Sequence, residues 1–239
     1  MTRKIILHGG GMDGHPEGIP AIVNHFKGCQ RVALIPYARA NHDKALAFTR
    51  DLVPEVRFFG VHTMKDPRDA VANADGIWVM GGNSFSLVNQ LHAYGLIEPV
   101  QRMVEQGIPY GGTSAGANVA GPTICTTNDM PIIRRLLSLD GFELVPFQIN
   151  PHYLDANAKP ADFCGHTREQ RIAEFLEEND VPVLGLREGS WLTVNSAAMR
   201  LDGTLPAMLF ERNKQPRELP AGSDLSTLLT VTPRFIGGD

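Results

Sequence analysis

Short apolar runs alternate with amphipathic stretches through the first half of the chain, the pattern of strands covered by helices on both faces. The runs predict strands over Lys4 to His8, Arg31 to Pro36, Val56 to Val61, Gly76 to Met80 and Pro109 to Thr113. The stretches between them predict helices around Gly18 to Lys27, Asp43 to Leu52, Pro67 to Asn73, Ser84 to His92 and Pro99 to Glu105. Such alternation implies an α/β fold whose central sheet is mostly parallel, with binding sites gathered at the carboxyl ends of its strands. After Ser114 the regularity weakens. Pro122 to Pro160 reads as long loops with short strands around Glu143 to Val145 and Phe147 to Asn150. A helix over Arg168 to Glu178 follows, then a C-terminal run of short strands at Val183 to Leu186, Trp191 to Asn195, Ala198 to Leu201 and Ala207 to Phe210. No repeat, charge block or linker divides the chain, so residues 1–239 are expected to form a single domain.

Composition narrows this picture. With 43% hydrophobic residues the chain can bury a sizeable core. Its 22 basic and 26 acidic side chains leave a net charge of −4, which removes the usual electrostatic reason to expect nucleic acid as partner. No run approaches the roughly 18 apolar residues of a membrane span, and the first apolar run, Ile5 to Leu7, is too short for a secretory signal. Cys29, Cys125 and Cys164 show no metal-ligand spacing and are odd in number, so a reducing cytoplasm is expected.

The sharpest chemical signal is Gly112-Thr113-Ser114-Ala115-Gly116, a match to the G-x-S-x-G nucleophile elbow. It follows a predicted strand and precedes the small-residue run Ala117-Asn-Val-Ala, the context this motif requires. A serine needs a base to take its proton. His152, placed directly after a short strand and a proline, is the first candidate, and His166, before a helix, is the second. His8, His15, His25, His42, His62 and His92 read as surface or core residues. A carboxylate should orient the imidazole. Glu188 ends an apolar run and precedes a glycine, although it could instead pair with its neighbour Arg187; Asp129 and Asp155 compete with it.

An oxyanion needs backbone donors. Met80-Gly-Gly-Asn-Ser ends a strand and opens a helix capped by Asn83 or Ser84, and could offer them together with the N–H of Ala115. His8-Gly-Gly-Gly imitates the HGGG loop of lipases and esterases, but it follows the first strand rather than the third. The α/β-hydrolase order would also demand a histidine after the acid. Without one beyond His166, the acid would have to be Asp129, Asp140 or Glu143, which argues against that fold.

Four segments, Ser114-Ala-Gly-Ala-Asn-Val-Ala-Gly-Pro-Thr-Ile-Cys-Thr-Thr-Asn-Asp-Met-Pro-Ile, Phe147-Gln-Ile-Asn-Pro-His, Thr167-Arg-Glu-Gln-Arg-Ile and Glu188-Gly-Ser-Trp, together resemble the peptidase E family. These are α-aspartyl dipeptidases of serine type, related to cyanophycinases and built on a class I glutamine amidotransferase-like, flavodoxin-like sheet. The likeness runs in order from the first strand to about Asn195. It implies a Ser, His, Glu triad at Ser114, His152 and Glu188, and an oxyanion hole at Gly82 and Ala115 with Asn83 nearby. It implies that Arg168 binds the aspartate side chain of the substrate, where a guanidinium fork matches a carboxylate, and that Asp129 helps receive the α-ammonium group. The implied partner is a small peptide with an N-terminal aspartate, hydrolysed by a monomer or homodimer without metal or organic cofactor. Three departures bear on pocket shape: Thr113 stands where an aromatic residue often precedes the serine, Met80 where a third glycine is usual, and Tyr153 where Phe often follows the histidine. Three rival readings are a hydrolase of β-aspartyl-arginine, a general esterase and a non-catalytic binding module.

Overall fold

The computed structural model describes residues 3–127, 130–155 and 167–235. The first half builds the alternation expected: β1 (Lys4–His8), α1 (Ile19–His25), β2 (Val32–Ile35), α2 (His42–Leu52), β3 (Phe58–Gly60), α3 (Pro67–Ala72), β4 (Gly76–Val79), α4 (Ser84–Ala93), α5 (Ile97–Glu105) and β5 (Tyr110–Thr113). Asn41, Asp66 and Asn83 cap α2, α3 and α4 by accepting bonds from the Lys44, Arg68 and Ser86 N–H groups. The five strands pair in parallel, with Leu7 opposite Gly112 and Ala33 opposite Ile77.

Their period of two sorts the side chains onto two faces. Ile5, Leu7, Ala33, Ile35, Ile77 and Val79 meet Val71, Leu87, Leu91, Val100 and Val104 from α3, α4 and α5. Ile6, Val32, Leu34 and Trp78 meet Ile22, Phe26 and Leu46 on the side of α1 and α2. Strands buried on both faces read as near-continuous apolar runs, which is why the sequence pattern locates them within a residue or two.

The second half consists of α6 (Ala115–Asn118), β6 (Gln148–Pro151), α7 (Arg168–Glu178), β7 (Asn179–Asp180), β8 (Val183–Leu186), β9 (Ser190–Asn195), β10 (Ala198–Gly203), β11 (Ala207–Phe210), β12 (Arg217–Leu219) and β13 (Arg234–Phe235). The expected terminal run of strands is divided between sheets. Strands β9 and β10 extend the main sheet antiparallel beside β1, giving the order β10-β9-β1-β5-β4-β2-β3. A second sheet, β12-β11-β8-β6, packs one face on the main core through Ile149, Leu184, Leu186 and Leu209. Its other face meets Ile172 and Leu176 of α7 through Val183, Phe210 and the adjoining Tyr153. The last pair, β7 and β13, is antiparallel.

Three expectations are corrected. Glu143 to Val145 is not a strand: Glu143 has φ +52°, and the N–H groups of Leu144 and Val145 donate to the Ala120 carbonyl. Their apolar character reflects burial against the segment after α6, which no local pattern distinguishes from a strand. The first helix opens as a 3-10 turn at Pro16–Gly18, and α1 ends at His25 ahead of Gly28. Helix α5 starts at Ile97 rather than Pro99, because a proline lacking an N–H is tolerated in a first turn whose donors have no intrahelical acceptor.

His8 and His25 lie in this framework as buried groups. His25 Nε2 faces the Tyr110 carbonyl at 3.0 Å and His8 stacks on Trp191 with ring centroids 5.4 Å apart. Burial pushes their pKa down from 6.5, to about 3 for His8 and to about 4 for His25. Between those values and 6.5 the unfolded chain binds more protons than the folded one, so this contribution is complete above about pH 6.5 and declines as pH falls. At 1.36 kcal/mol per pH unit, each histidine withdraws roughly 2 kcal/mol between pH 6.5 and 5. Denaturant midpoints measured over that range should therefore fall with acidity, and His25→Gln should flatten the fall.

Candidate active site

Five chain segments converge at the carboxyl ends of β1, β4, β5, β6 and β8, the crevice where an open α/β sheet collects its ligands. Ser114 stands between β5 and α6 with φ +54° and ψ −114°, a conformation costing about 1–3 kcal/mol for a residue with a side chain. Its N–H donates to the His8 carbonyl at 3.1 Å, and its own carbonyl accepts from Ala117 and Asn118 at 2.9 Å each. The hydroxyl makes no capping bond to the helix it precedes. It points to His152 instead.

The elbow depends on its last glycine. A Cβ on Gly116 would overlap the Val79 carbonyl oxygen, and the Gly116 carbonyl accepts the Tyr110 hydroxyl at 2.7 Å. At the end of α6, the fully buried Asn118 donates through Nδ2 to the Ile149 carbonyl at 2.7 Å, tying this helix to β6.

His152 follows β6 with φ +54° and donates its backbone N–H to the Gly9 carbonyl at 2.8 Å. Its Nε2 lies 2.7 Å from Ser114 Oγ, and its Nδ1 bonds Glu188 Oε1. A carboxylate acceptor at Nδ1 assigns the proton to that nitrogen and leaves Nε2 with the lone pair facing the serine hydroxyl. Glu188 follows β8, and Oε2 on its other side lies 3.9 Å from His15 Nε2. The side chains of His152 and Glu188 are 32% and 44% exposed, so the pair borders solvent.

The ambiguity between Arg187 and Glu188 is settled by direction. Arg187 turns the other way: its Nη2 meets Asp155 at 2.6 Å and Glu218 at 3.5 Å, Nη1 donates to the Pro206 carbonyl, and the guanidinium lies over the Tyr153 ring. Asp155 is thereby occupied and Glu188 faces His152. Asp140 accepts from the Ser138 hydroxyl. The remaining sequence candidates Asp129 and His166, together with Cys164, lie outside the described residues.

The glycines after β1 leave room for groups from distant segments. Gly10 has φ +117°, and a Cβ there would occupy the position of the His152 imidazole. Across the crevice, Gly81 and Gly82 follow β4, with Gly81 so close to Ser114 that a Cβ on it would sit 2.8 Å from the serine Cβ. Asn83 does not offer a donor here: its N–H goes to the Ala38 carbonyl at 2.9 Å, its Oδ1 caps α4, and its Nδ2 donates to the Pro131 carbonyl. Ala115 is the first residue of α6, so its N–H has no intrahelical acceptor.

A cavity of about 130 Å³ opens in front of Ser114 and His152, walled by Phe48, Trp78 and Met80 and carrying Asp13 and Arg39. Thr113 and Met80, two of the sequence departures, both line it. The third, Tyr153, is buried beneath Arg187 and shapes the second sheet instead. Arg168 lies at the start of α7, donating through Nη1 to Asn150 Oδ1 at 3.2 Å and to the Pro151 carbonyl at 3.1 Å, immediately before His152. Asp13, His15 and Arg39 escape sequence reading because each stands in an ordinary polar loop. Among the described residues, no three His, Cys, Asp or Glu side chains group in a way that could hold a metal ion, and no helix is long and apolar enough to cross a membrane.

The family match and the fold make this chain a serine-type peptidase on a class I glutamine amidotransferase-like sheet. The chain belongs to Peptidase family S51, whose family model matches residues 5–201. Peptidase E of Streptomyces coelicolor is 50% identical over 210 residues, 87% of this chain and 86% of that protein. A Drosophila melanogaster protein named "Probable alpha-aspartyl dipeptidase" is 40% identical over 226 residues, 93% of each chain. The crystal structure of a peptidase from an acI-B1 Actinobacterium matches with a TM-score of 0.64 at 17% identity, over 94% of this chain and 97% of that one, a likeness of fold.

The Gly10 contact yields a test. Gly10→Ala should displace the imidazole and lower peptidase activity by about a hundredfold or more, the scale of a base moved from its position. Circular dichroism should still report a folded protein, since overpacking costs about 1–3 kcal/mol.

Proposed function

We propose that the protein is an α-aspartyl dipeptidase that cleaves the peptide bond after an N-terminal aspartate through an acyl-enzyme. The observation that carries the reading is the continuous hydrogen-bonded chain from Ser114 Oγ through both ring nitrogens of His152 to Glu188. The names of the similar Streptomyces and Drosophila proteins support the substrate class.

In this reaction the lone pair of His152 Nε2 takes the Ser114 hydroxyl proton as Oγ attacks the carbonyl carbon. Glu188 stabilises the imidazolium that results. Negative charge developing on the carbonyl oxygen is met by the N–H groups of Gly82 and Ala115, which flank the nucleophile from two strand ends. His152 then delivers its proton to the leaving amine, and the C–N bond breaks. A water enters, gives its proton to Nε2 and attacks the ester carbon, and the Ser114 oxygen leaves with that proton.

Arg168 supplies the aspartate selectivity in this reading. Its anchorage on Asn150 and Pro151 keeps a cation beside the histidine, and a guanidinium distinguishes a carboxylate from a neutral side chain by charge as well as shape. Asp129 receives the α-ammonium group. The cavity matches a small substrate: at roughly 10–15 Å³ of such space per water it holds on the order of ten waters.

Hydrolysis of Asp-Leu, Leu-Leu and β-Asp-Leu by the wild type, Ser114→Ala and Arg168→Ala tests the proposal. The wild type should cleave Asp-Leu alone, and Ser114→Ala should be inactive. Arg168→Ala should lose about 2–5 kcal/mol of discrimination, the cost of leaving a buried charge without its partner. Equal cleavage of Leu-Leu, or full activity in Ser114→Ala, would contradict the reading.

A further inference from the structure

We infer that Arg39 is a positioning residue for the oxyanion hole, acting through the peptide group between Gly81 and Gly82. The inference rests on the serine mechanism proposed above and deepens it. Arg39 Nε–H donates to the Gly81 carbonyl oxygen at 2.8 Å. That oxygen and the Gly82 N–H are opposite ends of one planar, resonance-stabilised peptide group. A donor borne by a cation draws electron density toward the oxygen, so the N–H at the other end becomes a stronger donor, as in any polarised hydrogen-bond chain. It also fixes the plane of the peptide, and therefore the direction in which the Gly82 N–H points.

The neighbouring contacts make this a two-point grip. Asn83 N–H donates to the Ala38 carbonyl at 2.9 Å, so consecutive residues of the loop after β2 hold the residues on either side of Gly82. That loop is itself closed by a bond from Arg39 N–H to the Pro36 carbonyl at 2.9 Å. Gly82 has φ +148°, and a Cβ there would overlap the Ala38 carbonyl, so the segment is seated directly on the loop. Arg39 borders the same cavity as Ser114 and His152, which places its charge near the reacting carbonyl. In the sequence it is one exposed cation in Pro36-Tyr-Ala-Arg, and nothing local marks it.

Weakening a donor whose interaction strengthens only as negative charge develops lowers kcat without weakening substrate binding. Arg39→Ala, Arg39→Gln and Arg39→Lys should be assayed on Asp-Leu and on aspartyl p-nitroanilide, which has no second carboxylate. Melting temperatures would establish that each variant is folded, with Arg39→Gln retaining a neutral donor of similar reach. The alanine variant should lose about tenfold to a hundredfold in kcat on both substrates, at or below the effect of deleting an oxyanion donor outright, while KM stays within about twofold. Affinity for the boronic acid analogue of aspartate, which forms a tetrahedral adduct on the serine, should fall in parallel, and the lysine variant should recover part of both losses. An unchanged kcat in Arg39→Ala, or a KM rise confined to Asp-Leu, would overturn the inference, the latter by making Arg39 a ligand for the substrate's terminal carboxylate. Ser114→Ala in the same assays separates the two levels. If it retains turnover, the serine mechanism itself falls; if it is inactive while Arg39→Ala is unimpaired, the mechanism stands and this inference falls.

Discussion

The backbone bond from His152 N–H to the Gly9 carbonyl, 2.8 Å long, joins the end of one sheet to the end of the other. Ser114 belongs to the main sheet through β5, whereas His152 and Glu188 follow β6 and β8 of the second sheet. No element carries all three, so their alignment is a property of the junction. Gly9 N–H also donates to the Ser190 carbonyl, at 3.0 Å, which draws β1, the start of β9 and the histidine loop together. Because the two sheets share one apolar cluster through Ile149, Leu184 and Leu186, neither can shift without opening space in a close-packed core.

That junction carries local strain. Ser114 and His152 both have φ +54°, and each such residue costs about 1–3 kcal/mol. Backbone bonds on either side hold them: the Ser114 N–H to His8, its carbonyl to α6, the His152 N–H to Gly9. Positive φ directs each side chain off the line of its strand and toward the other. Gly10 leaves the space that the imidazole then fills. Strain, glycine and hydrogen bonding are thus one arrangement for bringing two side chains from different sheets within 2.7 Å.

Charge operates locally as well. A net charge of −4 gives no overall attraction for an acidic substrate, so recognition of the aspartyl substrate proposed above would depend on individual cations near the crevice. Arg39 and Arg168 approach it from different elements, one from the loop after β2 and the other from the start of α7, and each is held by carbonyl oxygens. The third arginine near the site, Arg187, is engaged by Asp155 and Glu218, which separates it from Glu188 although the two are adjacent in sequence.

The parallel strands were legible because burial on both faces writes them as short apolar runs, and the elbow was legible because Gly112, Ser114 and Gly116 stand in one short motif between a strand and a helix, Gly112 being dictated by overlap with the Gly116 carbonyl. The partners of Ser114 were named through long ordered motifs rather than through geometry. Glu143 to Val145 misled because burial against α6 and burial in a sheet leave the same apolar mark. Arg39 left no mark at all, since its bond to Gly81 spans 42 residues and depends on two loops meeting. The sequence by itself determined the alternation of elements, the turn that exposes Ser114 and the residue types available for chemistry, all of which follow from steric and hydrophobic rules acting over short stretches. Tertiary structure alone decided which acid faces His152, which way Arg187 turns and what the three glycines after β1 accommodate, because those outcomes depend on the approach of chain segments far apart in sequence.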